Sequence, residues 1–89
     1  MIANGAQIDF QDENGWTPLV ITVFKNHFKL FQFLVKEGAN IEAKDQFGNS
    51  TLHYAAEENK TLMVEQLIEN GADINSTNNV FETPLHNLD

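Results

Sequence analysis

Three histidines are the residues best able to do chemistry in this 89-residue chain, since an imidazole with acidic neighbours can act as a general base or hold a metal ion. His53 and His86 stand 33 residues apart, and His27 lies outside that register. Cys is absent, which removes thiolate nucleophiles, soft metal ligands and any disulfide framework. Asp9, Asp12 and Glu13 make a local acidic cluster without the alternating oxygen-ligand spacing of a calcium loop. The glycines do not form a phosphate-cradling loop. Nothing here assembles a nucleophile, a base and an orienting group, so the sequence predicts a non-enzyme with no catalytic, cofactor-binding or metal-ligating residues.

The 33-residue interval between His53 and His86 belongs to a longer pattern. Gly38-Ala39-Asn40-Ile41 returns as Gly71-Ala72-Asp73-Ile74, and Gly5-Ala6-Gln7-Ile8 is a weaker copy one interval earlier. Between these marks, Asp12-Glu13-Asn14-Gly15-Trp16-Thr17-Pro18-Leu19 falls on Asp45-Gln46-Phe47-Gly48-Asn49-Ser50-Thr51-Leu52 and on Asn78-Asn79-Val80-Phe81-Glu82-Thr83-Pro84-Leu85. A fixed period of this size means that the repeat is the structural unit. Two units are complete, 12–44 and 45–77, flanked by the end of one at 1–11 and the start of another at 78–89. Arrays normally need about three repeats for stability, so the expectation is a piece of a longer array or a chain whose ends are completed by another copy. Histidines in equivalent places of successive repeats lie roughly 10 Å apart, the spacing of packed helices, which is too far for one ion to bridge.

Each unit carries helix signals. Thr17, Ser50 and Thr83 stand where a hydroxyl can cap a first helix, and Pro18 and Pro84 follow at its first position. First helices are expected over about 18–25 and 51–58, and second helices over about 28–36 and 61–69. Leu30-Phe31-x-x-Leu34-Val35 and Met63-Val64-x-x-Leu67-Ile68 give the second helices one inward face. Asn26 and Asn59 suit a left-handed turn between helices. Gly38 and Gly71 stop the second helices, while Gly15 and Gly48 supply a positive φ in short hairpin loops. Phe81 replaces that glycine in the last unit, where a strained or rearranged loop is expected.

In this register the chain resembles the ankyrin repeat family, most clearly at Ser50-Thr51-Leu52-His53-Tyr54-Ala55-Ala56 and Leu67-Ile68-Glu69-Asn70-Gly71-Ala72-Asp73-Ile74-Asn75. The resemblance covers nearly the whole chain. It implies an all-α solenoid of stacked helix-turn-helix units with short β-hairpin loops, protein partners and no cofactor. It also implies that His53, and His86 in the next unit, make structural hydrogen bonds to the loop backbone. Val20 takes that place in the first complete unit, and His27 is read as a cap or surface residue.

The formal net charge is −8, from 13 acidic and 5 basic residues. That balance argues against nucleic acid, whose binding draws on clustered Lys and Arg, and favours a basic protein or peptide. No apolar run is long enough to span a membrane, and Met1-Ile2-Ala3-Asn4-Gly5 lacks the character of a signal peptide. An intracellular, cytoplasmic protein is expected.

Loop tips and the exposed side of the first helices form the expected concave binding face. Its candidate partner-binding residues are those that vary between units: Glu13, Gln46 and Asn79 at one place; Trp16 and Asn49 at another; Phe47 on the loop; Phe24 and then Glu57 and Glu58 on the first helices. Trp16 and Phe47 either anchor a partner or fold over the adjacent loop. Phe24, Phe28 and Phe33 stand where Glu57, Thr61 and Gln66 stand one unit later. This asymmetry marks contact with a preceding repeat, a homotypic interface or a partner. The resulting expectation is a protein-protein interaction module, with a spacer or scaffold segment, or a self-associating fragment, as the alternatives.

Overall fold

A computed structural model describes residues 8–80 and 82–84. Four helices lie wholly within the described residues, in order α1 (Pro18–Lys25), α2 (Phe28–Lys36), α3 (Thr51–Glu57) and α4 (Thr61–Glu69). α1 pairs with α2 and α3 with α4, and the two hairpins stack with α1 on α3 and α2 on α4. The result is an all-α, two-layer solenoid.

The first helices start where their caps place them. Thr17 is extended, at φ −85° and ψ 165°, and its hydroxyl accepts the Val20 N–H before Pro18 opens α1. Ser50 holds the same backbone conformation, accepts from His53 N and donates its own N–H to His53 Nδ1 at 3.1 Å. This is a reciprocal capping box in which an imidazole takes the place usual for Glu or Gln. Asn26 and Asn59 make the turns between helices at φ 59° and 60°, the left-handed region that Asn tolerates. α3 ends at Glu57, one residue before the expected end, with Glu58 as its C-cap.

Both second helices end in the same paired hydrogen bonds. Gly38 N donates to Val35 O and Ala39 N to Leu34 O, and one unit later Gly71 N donates to Ile68 O and Ala72 N to Leu67 O. These are Schellman closures. The apolar seam runs through both hairpins, with Leu34 only 3% and Leu67 0% exposed beside Leu19, Val23, Phe31, Leu52, Ala55 and Met63.

The expected β-hairpins are corrected: no strand occurs among the described residues. Each loop is spanned by a backbone bond, from Asp12 N to Trp16 O, Asp45 N to Asn49 O and Asn78 N to Glu82 O, and the first two carry a second, from Gly15 N to Asp12 O and from Gly48 N to Asp45 O. A side-chain oxygen does the rest. Asp12 Oδ1 accepts from the N–H groups of Asn14 and Trp16, Asp45 Oδ1 from Phe47 and Asn49, and Asn78 Oδ1 from Val80 and Glu82. Backbone donors that would extend a ladder are therefore turned inward on one acceptor. The expectation for Phe81 falls outside the described residues.

Candidate functional site

The loops stack directly on one another. Gln46 N donates to Asn14 O and Asn79 N to Phe47 O, while Asn79 Nδ2 donates to Gln46 O at 3.0 Å. Gly15 and Gly48 permit this approach. A Cβ built on Gly15 would lie 2.8 Å from Asp45 Cα, and one on Gly48 would lie 2.8 Å from Asn79 N. Their φ angles, +84° and +79°, also favour glycine.

Behind the loops, Trp16, Phe24 and Tyr54 form an aromatic cluster. Ring centroids are 4.9 Å apart for Trp16 and Phe24, 5.1 Å for Phe24 and Tyr54 and 6.5 Å for Trp16 and Tyr54, all edge-to-face. Phe24 keeps 37% of its surface exposed, so the cluster presents an apolar patch to solvent.

The polar ends of this cluster meet on Asp45. Trp16 Nε1 donates to Asp45 Oδ2 at 3.0 Å and the Tyr54 hydroxyl donates to the same oxygen. Burial, and then the hydrogen bond given to Asp45, hold the Tyr54 phenol above its ordinary range. Asn49 Nδ2 donates to the Tyr54 hydroxyl, Asn78 Nδ2 donates to Asn49 Oδ1 at 2.8 Å, and the same Asn78 amide reaches Glu82 Oε1 at 3.1 Å. One polar chain thus joins three successive units.

His53 is committed to structure at both nitrogens. A backbone N–H can only donate, so Nδ1 accepts from Ser50 N and the ring proton sits on Nε2, which donates to Glu82 O at 2.9 Å. His27 is exposed at the start of α2 and makes no side-chain cap bond. His86 lies outside the described residues. Among the described residues no group of three or more His, Asp or Glu is placed to hold a metal ion.

Of the remaining candidates, Glu13, Gln46, Phe47 and Asn79 are exposed along the loop edge, and Glu57 and Glu58 are exposed at the end of α3. Trp16 and Asn49 are half-buried, drawn into the polar chain. The glycines divide by role, Gly15 and Gly48 under stacked loops, Gly38 and Gly71 at helix ends with nothing within 4 Å of a built Cβ.

A match over residues 1–78 to the family described as Ankyrin repeats (3 copies) accounts for this stack of helix pairs, loops and buried histidine. The chain belongs to the ankyrin repeat family. No curated protein matches it. As an ankyrin repeat domain it is a helical scaffold of the general kind that serves protein-protein interaction, not a catalytic centre. No helix among the described residues is long and apolar enough to cross a membrane.

The residues missed from sequence are Asp45, Tyr54 and Asn78, which link the repeats. Asp12, Asp45 and Asn78 recur at the first place of each loop, a signal treated only as a register mark.

Proposed function

We propose that the domain binds a protein segment that is basic and carries an apolar residue, on the face made by the loops and first helices. The observation that supports this most directly is the exposed part of Phe24 within the aromatic cluster; Glu57 stands in the place of Phe24 on the next first helix, Glu58 follows it, and Glu82 lies on the third loop. An apolar anchor with a complementary charged surround is the common economy of a small binding site, the anchor supplying most of the energy and the charges selecting the partner. Glu13, Gln46, Phe47, Asn49 and Asn79 extend the same face along the loop edge. Nucleic acid fits this acidic face poorly.

Selection from a random peptide library displayed on phage tests the reading. Enrichment of sequences combining Lys or Arg with Leu, Phe or Trp, abolished by Phe24→Ala, is the expected result. A spacer or scaffold segment would enrich nothing. The absence of cysteine agrees with a reducing, intracellular setting.

Self-association has one specific observation in its favour. Leu30 and Phe33 are 47% and 48% exposed on α2, whereas Met63, in the place of Leu30 one unit later, is 2% exposed beneath the α2 and α4 packing. Sedimentation across a concentration series tests that reading, and a strict monomer rejects it.

A further inference from the structure

Two asparagine-glycine pairs lie within the described residues, Asn14-Gly15 and Asn70-Gly71. Such a pair has a chemistry of its own. With no Cβ on the following residue, the glycine backbone can turn so that its nitrogen meets the asparagine Cγ. Once the N–H proton is lost to water, the nitrogen attacks: the N–Cγ bond forms, the Cγ–Nδ2 bond breaks and the amide leaves as ammonia. Water then opens the cyclic imide. Addition at the side-chain carbonyl gives Asp, and addition at the former backbone carbonyl gives isoaspartate, whose main chain runs through Cγ and is one methylene longer.

The fold holds the two pairs differently. Asn14 and Gly15 are half-buried under the second loop, where Asn14 O accepts the Gln46 N–H and a Cβ on Gly15 would lie 2.8 Å from Asp45 Cα. Gly15 N is bonded to Asp12 O at 2.8 Å and Gly15 O to Gln11 Nε2 at 2.9 Å. This pair turns only if the first two loops unstack. Asn70 and Gly71 are exposed at the end of α4, and a Cβ on Gly71 would meet nothing within 4 Å. The reacting groups are restrained by two bonds, from Asn70 Nδ2 to Gln66 O at 2.7 Å and from Gly71 N to Ile68 O at 3.0 Å. Both belong to the last helical turn, which frays without the rest of the fold opening.

The preceding unit shows what this place tolerates. Glu37 stands there at φ −81° and ψ 3°, close to the −94° and 13° of Asn70, and the same paired closure follows it. A carboxylate beside the negative end of a helix is a small cost that the first unit already bears. An added backbone methylene is another matter. It displaces Gly71 N and Ala72 N from Ile68 O and Leu67 O, and Ala72 packs against the core.

We infer that Asn70 is a site of spontaneous deamidation, and that its isoaspartyl form, unlike its aspartyl form, undoes the C-terminal closure of α4. The reaction needs only water and is irreversible once ammonia has left. The corresponding end of α2 is immune, because Glu37 carries no amide.

Prolonged incubation of the whole chain at mildly alkaline pH, followed by mass-spectrometric peptide mapping, tests the site. The expected result is conversion to acid at Asn70 about tenfold sooner than at Asn14 in the folded protein, as one further hydrogen bond to break would give, and at similar rates in urea. Conversion at Asn14 first or equally fast in the folded protein, or none at Asn70 while both react in urea, overturns the assignment. Hydrogen exchange tests the consequence. The isolated isoaspartyl form should lose protection at the Gly71 and Ala72 amides, whereas Asn70→Asp should keep it and Asn70→Glu should age without losing it. Protection retained in the isoaspartyl form, or lost equally in Asn70→Asp, overturns the claim that the lengthened backbone opens the helix end.

Discussion

The indole N–H of Trp16 donates to Asp45 Oδ2 across 29 residues of chain, fastening the loop of one repeat to the first residue of the next. The Tyr54 hydroxyl gives its proton to the same oxygen, and Oδ1 takes two backbone N–H groups, so the carboxylate serves four donors. Asp45 is 9% exposed, which leaves little water to replace it.

Replacing Asp45 with Ala should therefore destabilise the fold by about 3 kcal/mol, since each buried donor left without a partner costs roughly 1 to 3 kcal/mol and some regain water. Asp45→Asn should cost less, because Asn78 shows that an amide oxygen holds the same loop. Urea unfolding followed by the emission of the one tryptophan measures both. Equal losses would mean that the two loop bonds to Oδ1 contribute nothing beyond the bonds from Trp16 and Tyr54.

Thr51 offers the opposite outcome. It is 0% exposed and its hydroxyl oxygen has no hydrogen-bond partner, a cost the first and third units avoid with Pro18 and Pro84. The preceding Ser50 lies at φ −93° and ψ 174°, the extended conformation that Thr17 holds before Pro18 and that a following proline requires. Thr51→Pro should stabilise the domain by about 1 kcal/mol, through a stiffer unfolded chain and removal of the unpaired hydroxyl. The expected rise in Tm is roughly 4 to 8 °C, and a fall in thermal melting would show that the threonine packs better than the ring.

These two sites also show what the sequence made legible. Thr17, Pro18, Asn26 and Gly38 each act within a few residues of chain, so cap, start, turn and stop could be located from residue type alone. The loops were misjudged because a period-two strand and a side-chain-closed turn have the same length and the same glycine, and only the direction of the Asp45 and Asn78 oxygens separates them. The polar chain from Trp16 to Glu82 was hidden because its partners lie about one repeat apart in sequence. The two readings of Trp16 depended on where Asp45 would sit.

Gly48 and Gly71 separate conformational freedom from close approach. Both have positive φ, +79° and +91°, but a Cβ at Gly71 meets nothing within 4 Å whereas one at Gly48 meets Asn79 N at 2.8 Å and Asn79 Oδ1 at 2.5 Å. Gly71→Ala should cost only the left-handed backbone, roughly 1 to 2 kcal/mol. Gly48→Ala should cost more and should free the Asn79 amide, now bonded to Phe47 O, to exchange with solvent. Hydrogen exchange at that amide decides the matter: protection retained in Gly48→Ala would mean that the third loop yields without losing its seat.

Tyr54 gives the alkaline limit of the stack. Burial and the bond to Asp45 raise the phenol above its ordinary value of about 10, so the neutral form is favoured in the folded state. Its contribution is fully present below the unfolded-state value and is lost as pH rises through the folded one, because the unfolded chain then releases the proton first and gains from doing so. Stability should accordingly fall above about pH 10, and phenolate absorbance, which comes from the one tyrosine present, should appear later in folded than in urea-unfolded protein. Tyr54→Phe should flatten that alkaline fall while lowering stability at neutral pH by about 1 kcal/mol, the net worth of one hydrogen bond. An alkaline profile that Tyr54→Phe leaves unchanged would place the loss on other groups and remove Tyr54 from the coupling between repeats.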